Sequence, residues 1–218
     1  MTNPNLTYIQ AIIDRSGSMQ SIRSDAEGGF DAFIAEQRKL PGECLVSLAR
    51  FDDKYEVGYQ DLPLAEVPPL EIIPRGTTAM LDAIGRTVNE LGARLAALSE
   101  DRRPATVVVA IVTDGLENAS REFSYPVVRQ MITTQEQTYS WTFLYLGADQ
   151  DAIEQGAKMG IAADYSLSYA RANSSDAYQA ASGSISRLRS AMASGADGAA
   201  AKKAAAFSDE ERNKSGGA

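Results

Sequence analysis

Three segments of the chain are apolar at nearly every position, and this feature restricts the fold more than any other. They are LTYIQAIID at 6–14, ATVVVAIVT at 105–113 and WTFLYLG at 141–147. A strand with one face in water alternates apolar and polar residues, whereas a strand buried on both faces is apolar throughout. Because such strands are typical of parallel sheets that helices cover on each side, we predict an α/β fold.

The segments between the strands have the helical period. Apolar residues recur at steps of three and four, which predicts helices over 19–39, 78–98, 124–138, 150–160 and 174–194. Gly28 and Gly29 interrupt the first helix, and we attribute them to close packing on the sheet. Strand–helix alternation with long crossovers predicts a doubly wound, mostly parallel sheet with helices on both faces.

A hairpin and a proline-rich loop complete the pattern. The segments 43–51 and 54–60 are joined by Asp52-Asp53, which predicts a second strand that runs antiparallel at the edge of the sheet. Four prolines between 61 and 76 predict an extended loop, and a last short strand is predicted near 161–168.

The length and the distribution of apolar residues predict one domain with an appendage. Of the 218 residues, 44% are hydrophobic, which is enough for one substantial core. Beyond Gly195 the chain is rich in Ala, Lys and Gly and poor in large apolar residues. We therefore expect a domain at 1–195, with its core at 6–168, and a tail at 196–218 that frays or is disordered.

Charge and cysteine content narrow the choice of partner and compartment. A net charge of -8 argues against nucleic acid or an anionic membrane as the partner. Cys44 is the single cysteine, so no intrachain disulfide forms. Neither a secretory signal nor an apolar run of about 20 residues is visible, and we expect a cytoplasmic protein.

The chain contains no histidine. This excludes Ser-His-Asp and Cys-His triads, zinc held by histidine, and acid–base catalysis by an imidazole. The chemistry left to the chain uses carboxylates, hydroxyls and the backbone.

Three polar clusters follow predicted strands or open predicted helices: DRSGS at 14–18, RGTTAML at 75–81 and TDGLEN at 113–118. Ligands of open α/β sheets bind at the carboxyl ends of the strands. Each cluster alone also fits a helix cap or a turn. Two carboxylates and three hydroxyls from these clusters are expected to converge on one edge of the sheet, and this oxygen donor set suits Mg²⁺ or Mn²⁺. Gly17 leaves the backbone free to turn Ser16 and Ser18 toward one point beside Asp14.

These clusters resemble the motifs of a known family. DRSGSM resembles the Asp-x-Ser-x-Ser motif of von Willebrand factor type A (vWA) domains, and GTTAMLDAIG and VTDGLEN resemble the other two loops of their metal-ion-dependent adhesion site (MIDAS). The resemblance covers residues 6–168 and is to the intracellular bacterial type. It implies a Rossmann-like six-stranded sheet with one antiparallel edge strand.

The resemblance also implies a set of metal ligands. Ser16, Ser18 and Thr78 would bind Mg²⁺ or Mn²⁺ through their hydroxyls, and Asp14 and Asp114 would bind it directly or through water. We prefer Thr78 to Thr77 because of its spacing to the helix face at Ile84, and we treat Glu117 and Asn118 as residues around the rim of the site.

The function that follows is binding without catalysis. A cation held mainly by neutral hydroxyls stays under-neutralised, and its open position favours an acidic side chain of another protein. Intracellular members of the family accompany ATPases, which implies an accessory, chaperone-like role beside such a partner.

Two alternatives remain open. One is a Mg²⁺-dependent phosphoryl-transfer or hydrolytic enzyme with an aspartate nucleophile. Against this alternative, the chain has no second Asp in an Asp-x-Asp motif, no GxxxxGK[ST] loop and no histidine. The other is a scaffold whose motif no longer binds metal.

Overall fold

The computed structural model of the chain describes residues 2–216, and a six-stranded sheet forms its centre. The strands are β1 (Asn3–Asp14), β2 (Glu43–Phe51), β3 (Tyr55–Pro63), β4 (Pro104–Thr113), β5 (Thr142–Ala148) and β6 (Ser166–Tyr169). Their order is β3-β2-β1-β4-β5-β6, and every neighbouring pair is parallel except β2 and β3. The predicted α/β sheet with an antiparallel edge strand is confirmed.

Seven helices surround the sheet within the described residues. They are α1 (Arg23–Gln37), α2 (Met80–Ala97), α3 (Tyr125–Tyr139), α4 (Ala152–Lys158), α5 (Ser174–Ala193), α6 (Gly198–Ala204) and α7 (Asp209–Ser215). Helices α1 and α5 pack together on one face of the sheet, and α2, α3 and α4 cover the other. None of the helices found between residues 2 and 216 combines the length and the apolar character that crossing a bilayer requires.

The central strands are apolar because both of their faces are covered. Consecutive residues point to opposite faces of a strand. Ile12 and Ile13 on β1 are nevertheless both 0% exposed, and so are Val108 and Val109 on β4. Burial of such side chains stabilises the fold by about 1.5–3 kcal/mol each.

The register of the strands decides where the polar clusters meet. Ile13 on β1 lies opposite Arg50 on β2 and opposite Val112 on β4. Because these strands are parallel and in step, β1 ends at Asp14 beside Thr113, the last residue of β4, and Asp114, which follows it. The first and third clusters of the sequence are therefore adjacent, although about 100 residues separate them along the chain.

The two glycines of α1 differ in their surroundings. A Cβ placed on Gly29 would lie 2.5 Å from Cδ2 of Tyr178 on α5, whereas a Cβ on Gly28 would meet nothing within 4 Å. Close packing thus explains Gly29 alone. The contact is with a neighbouring helix, so our expectation of packing on the sheet is wrong.

The expectation of a frayed or disordered tail from 196 onward is wrong for residues 196–216. These residues form α6 and α7, which pack on α5. Ala201, Ala205 and Phe207 are at most 6% exposed. The domain therefore extends through 216, beyond the predicted boundary at 195. The expectation for residues 217 and 218 lies outside the described residues.

Side chains of the domain hold the tail by its backbone. Ser184 Oγ on α5 donates to the carbonyl of Ala205 over 2.5 Å, and Arg187 Nη2 donates to the carbonyl of Ala206 over 2.9 Å. From the tail, Arg212 Nη1 donates to the carbonyl of Ser166 on β6 over 2.8 Å. A segment rich in alanine is thus fixed by hydrogen bonds and by small side chains that permit close approach.

The end of the tail also reaches the loop that follows β6. Gly216 forms an isolated antiparallel bridge with Tyr169. The Ala170 N–H donates to the carbonyl of Ser215 over 2.9 Å, and Asn173 Nδ2 donates to the carbonyl of Lys214 over 3.0 Å. The end of the tail therefore fixes the loop at 170–173 in place.

Candidate metal centre

Asp14 is completely buried at the end of β1. Its Oδ1 accepts a hydrogen bond from the Ser16 N–H over 2.6 Å, and its Oδ2 accepts one from Thr113 Oγ1 over 2.6 Å. Burial raises the pKa of Asp14 to about 6, although the hydrogen bonds from Thr113 and Ser16 oppose this rise. The carboxylate is fixed in position, and in its ionised form it would gain from a nearby cation.

The two serines of the first cluster connect Asp14 to the end of β4. Ser16 Oγ and Ser18 Oγ are 3.1 Å apart, and Ser18 Oγ donates to Asp114 Oδ1 over 2.6 Å. The loop is held in turn by the second cluster, because the Gly17 N–H donates to the carbonyl of Gly76 over 3.2 Å. Both serine hydroxyls therefore lie at the same point of the sheet edge.

Thr78 is brought to this point by the loop after β4. Its N–H donates to Asn118 Oδ1 over 2.9 Å, and the Asn118 N–H donates back to the Thr78 carbonyl over 3.1 Å. A Cβ placed on Gly115 would lie 3.0 Å from Thr78 Oγ1 and 3.7 Å from Ser18 Oγ. Gly115 thus leaves open a space that both hydroxyls border. Thr77 is exposed, whereas Thr78 is 3% exposed.

Asp114 has one satisfied and one unsatisfied oxygen. Its Oδ1 accepts from Ser18, while its buried Oδ2 accepts no hydrogen bond. Burial raises the pKa of Asp114, opposed by the hydrogen bond from Ser18 and by the charge of Arg171. The Arg171 guanidinium is the nearby cation, with its Nη2 3.4 Å from Oδ2. A buried carboxylate oxygen without a hydrogen bond is costly unless a cation neutralises it.

The five residues predicted as ligands therefore converge, and their donor set fits a hard divalent cation. It comprises three hydroxyls and two carboxylates, and the carboxylate oxygen Oδ2 of Asp114 still lacks a donor. No group of three or more His, Cys, Asp or Glu residues within 2–216 could hold a metal by itself. A metal at this edge would thus depend on the hydroxyls, which Mg²⁺ and Mn²⁺ accept as ligands.

Neither a protein-family model nor a curated protein matches the sequence of this chain. Solved structures do match its fold. Proximal thread matrix protein 1 from the mussel byssus is 15% identical over 82% of this chain and 46% of that one, with a TM-score of 0.56. A von Willebrand factor type A protein from Catenulispora acidiphila is 16% identical over 85% of this chain and 43% of that one, with a TM-score of 0.54. The vWF domain of the type V pili tip protein Mfa5 from Porphyromonas gingivalis is 11% identical over 85% and 96%, with a TM-score of 0.59.

The chain has the vWA fold. It spans less than half the length of the mussel and Catenulispora proteins, and nearly all of the Mfa5 domain. In another structure of the mussel protein, described as having a zinc occupied MIDAS motif, the TM-score is 0.50 and the identity is 13% over 77% of this chain and 42% of that one. At these identities the similarity establishes the fold.

Two residues predicted at the rim of the site hold its loops in place. Asn118 binds both backbone groups of Thr78, as described above. Glu117 Oε2 accepts from the N–H of Leu81 in the first turn of α2 over 2.9 Å, and its Oε1 accepts from the N–H of Ser120 over 2.7 Å. A carboxylate at this end of a helix also complements the helix dipole.

Two further residues touch the predicted ligands, although neither was predicted to have a role at the site. Thr113 binds Asp14, and Arg171 lies beside Asp114. Thr113 could have been found from its place, because it ends the strand that neighbours β1. Arg171 follows β6, another parallel strand that ends at the same sheet edge, but no motif indicated that its side chain would cross to β4.

A second ion-pair network links the loop of the first cluster to the loop of the second. Arg15 Nε binds Asp52 Oδ2 over 2.8 Å, and Arg75 Nε binds the same oxygen over 2.7 Å. Burial alone would raise the pKa of Asp52, but hydrogen bonds from Arg75 and the Lys54 N–H and the charge of Arg15 lower it below 3.8. Asp52 thereby joins the loops of the first and second clusters.

Proposed function

We propose that this chain is a metal-dependent protein-interaction module. Ser16, Ser18 and Thr78 would hold Mg²⁺ or Mn²⁺ through their hydroxyls, with Asp14 and Asp114 binding directly or through water. When bound, the cation supplies an electrophilic position for a carboxylate of a partner protein. The observation that carries the proposal is the hydroxyl of Ser18, which contacts Ser16 and Asp114 at once beside the open space at Gly115.

The choice of cation rests on the donor atoms. Hydroxyl and carboxylate oxygens are hard ligands, and the site contains neither a thiolate nor an imidazole. The zinc described for the mussel protein's MIDAS motif supports a divalent occupant at a site on this fold. The oxygen donors of this chain favour Mg²⁺ or Mn²⁺.

We propose binding rather than catalysis. An aspartate nucleophile needs an accessible oxygen, but both oxygens of Asp14 accept hydrogen bonds and its side chain is buried. The three clusters also contain neither His nor Lys, and their carboxylates, those of Asp14, Asp114 and Glu117, all accept hydrogen bonds within the site. The partner we propose is another protein that presents Asp or Glu. From the resemblance to intracellular vWA proteins, we also propose a cytoplasmic location and an accessory role beside an ATPase.

Metal binding is tested by calorimetry with Mg²⁺ and Mn²⁺ and by melting in metal and in chelator. A ligand that binds only the folded state raises its stability by RT ln(1 + [L]/Kd), so the wild type should melt higher in metal. Ser18→Ala should weaken binding at least tenfold, and Asp14→Ala should abolish it. Ser24→Ala, an exposed serine on α1, should bind as the wild type does. Equal melting temperatures in metal and chelator, with no heat of binding, would show that there is no metal site.

The open position is tested separately with acetate as a carboxylate probe. In Mn²⁺-loaded protein, acetate should replace a metal-bound water and lower the relaxation enhancement of water protons. Chloride at equal ionic strength should have no such effect. Acetate is added up to about 0.1 M, an ionic strength at which the Debye length is about 10 Å. If the relaxation stays unchanged, the cation lacks a position for a partner's carboxylate.

A further inference from the structure

Arg171 lies beside the one predicted ligand whose oxygen is unsatisfied. Its Nη2 is 3.4 Å from Asp114 Oδ2 and donates to the Asp114 backbone carbonyl over 3.3 Å. Its Nη1 is 3.3 Å from Asp149 Oδ2. One guanidinium therefore spans a completely buried aspartate side chain and an aspartate that is about half exposed.

The contact with Asp114 is loose by the standard of this molecule. Arg187 binds Glu211 through two nitrogens over 2.8 and 3.0 Å, and Arg15 binds Asp52 over 2.8 Å. By contrast, the contact from Arg171 to the Asp114 carboxylate is 3.4 Å long and is not a hydrogen bond, and Arg171 Nε is buried without a partner. Arg171 supplies positive charge to this carboxylate without occupying it as a directed ligand would.

The backbone of Arg171 is held firmly, which keeps its side chain at the site. Its N–H donates to Asp149 Oδ1 over 3.1 Å. On either side, Ala170 and Asn173 bind the backbone carbonyls of Ser215 and Lys214 in the tail. The guanidinium is therefore tethered within reach of Asp114, and Asp149 offers it an alternative partner.

We propose that Arg171 is a tethered cation that competes with the divalent metal for Asp114 and so sets the metal affinity of the site. This inference rests on the proposed metal-binding function. In the metal-free protein, Arg171 neutralises a carboxylate that would otherwise be buried without a counter-charge. A divalent cation at the same carboxylate repels the guanidinium, which then keeps its contact with Asp149.

Calorimetry with Mn²⁺ on Arg171→Met tests the competition, because methionine removes the charge and retains much of the side chain's length. We expect the variant to bind Mn²⁺ about fivefold more tightly than the wild type, the upper end of the range for loss of one partly exposed ion pair. Lys39→Met makes the same change in net charge at the opposite end of the sheet, after α1. It should leave the affinity within about twofold, since exposed charges beyond the Debye length are screened.

A second measurement uses no metal and guards against an indirect effect of the substitution. In chelator, the Arg171→Met variant should be less stable than the wild type, because its Asp114 carboxylate has lost its counter-charge. In an Asp114→Asn background, the same substitution should cost measurably less, since no charge remains to neutralise. An equal cost in both backgrounds would overturn the pairing on which the competition depends.

The outcomes separate this inference from the proposed function. If the wild type binds Mn²⁺ and Arg171→Met binds it equally or more weakly, the competition is wrong and the metal site stands. If only Arg171→Met binds, the competition is confirmed in its strongest form. If neither binds, both the metal site and the competition are overturned.

Discussion

Thr77 and Thr78 are adjacent hydroxyl residues with different positions relative to the site. Thr78 Oγ1 borders the space beside Gly115, whereas Thr77 is exposed. We therefore predict that Thr78→Ala weakens Mg²⁺ or Mn²⁺ binding at least tenfold and that Thr77→Ala changes it by less than twofold. Calorimetric titration of the two variants side by side checks the ranking. The reverse ranking would place the ligand one residue earlier.

Asp52 should make the stability of the fold depend on pH at the acid end. Its folded-state pKa lies below the ordinary value of 3.8, so the folded state favours the ionised form. The stabilisation is therefore fully present above about pH 4 and is lost as the pH falls through the folded-state pKa. We predict that the difference in unfolding free energy between wild type and Asp52→Asn is largest near pH 7 and narrows below pH 4. Denaturant titrations at several pH values measure it, and a constant difference would contradict the prediction.

The residues of the site divide by whether a local signal marks them. The spacing of Asp14, Ser16 and Ser18 identifies a motif because all three are close in sequence and lie within one loop. Arg171 has no such signal, because its role depends on the register of β6 and on the direction in which a long side chain extends. Contacts made across the sheet edge are tertiary, and a pattern in one segment does not encode them.

Among the helices, α1 offers a matched pair of glycines for substitution. A Cβ on Gly28 meets nothing within 4 Å, whereas a Cβ on Gly29 would lie 2.5 Å from the ring of Tyr178. We predict that Gly28→Ala stabilises the protein by about 0.5–1 kcal/mol, the usual gain in a helix interior. Gly29→Ala should destabilise it by about 1–3 kcal/mol, because the added methyl group separates α1 from α5. Thermal or urea unfolding measures both, and equal effects would show that the two helices are not in close contact.

Sequence patterns predicted well those elements whose own apolar residues favour their burial. Strands β1, β4 and β5 were predicted to within about three residues at either end because each is apolar throughout. Helices α6 and α7 were not predicted, since much of their stability comes from contacts with the rest of the domain. Arg187 on α5 and Arg212 bind backbone carbonyls across the contact, and the many alanines contribute by being small. Composition alone cannot reveal such hydrogen bonds.

At the scale of the whole molecule, the tail and the sheet should unfold together. Phe207 is 6% exposed and belongs to the same core as the strands. We predict that Phe207→Ala costs about 3 kcal/mol, whereas Lys203→Ala, on the exposed side of α6, costs less than about 0.5 kcal/mol.

Truncation after Gly195 should lower the stability in the same direction and should leave a single, shifted transition. Unfolding followed by near-UV and far-UV circular dichroism should coincide in the full chain. Two separate transitions, or a truncated chain as stable as the full one, would show that α6 and α7 are an independent appendage.

The register that joins β1 to β4 also has a consequence for biosynthesis. A ribosome releases Asp14 and its serine loop long before the strand that ends at Thr113 and before Asp114, which follows it. Until that strand inserts beside β1, the nascent chain exposes one half of the site and an unpaired strand edge, and non-local pairings of this kind form slowly. The segment that anchors Arg171 emerges later still. The segments that bring Asp14 and Asp114 together are therefore synthesised before Arg171, the residue whose guanidinium lies beside Asp114 in the folded protein.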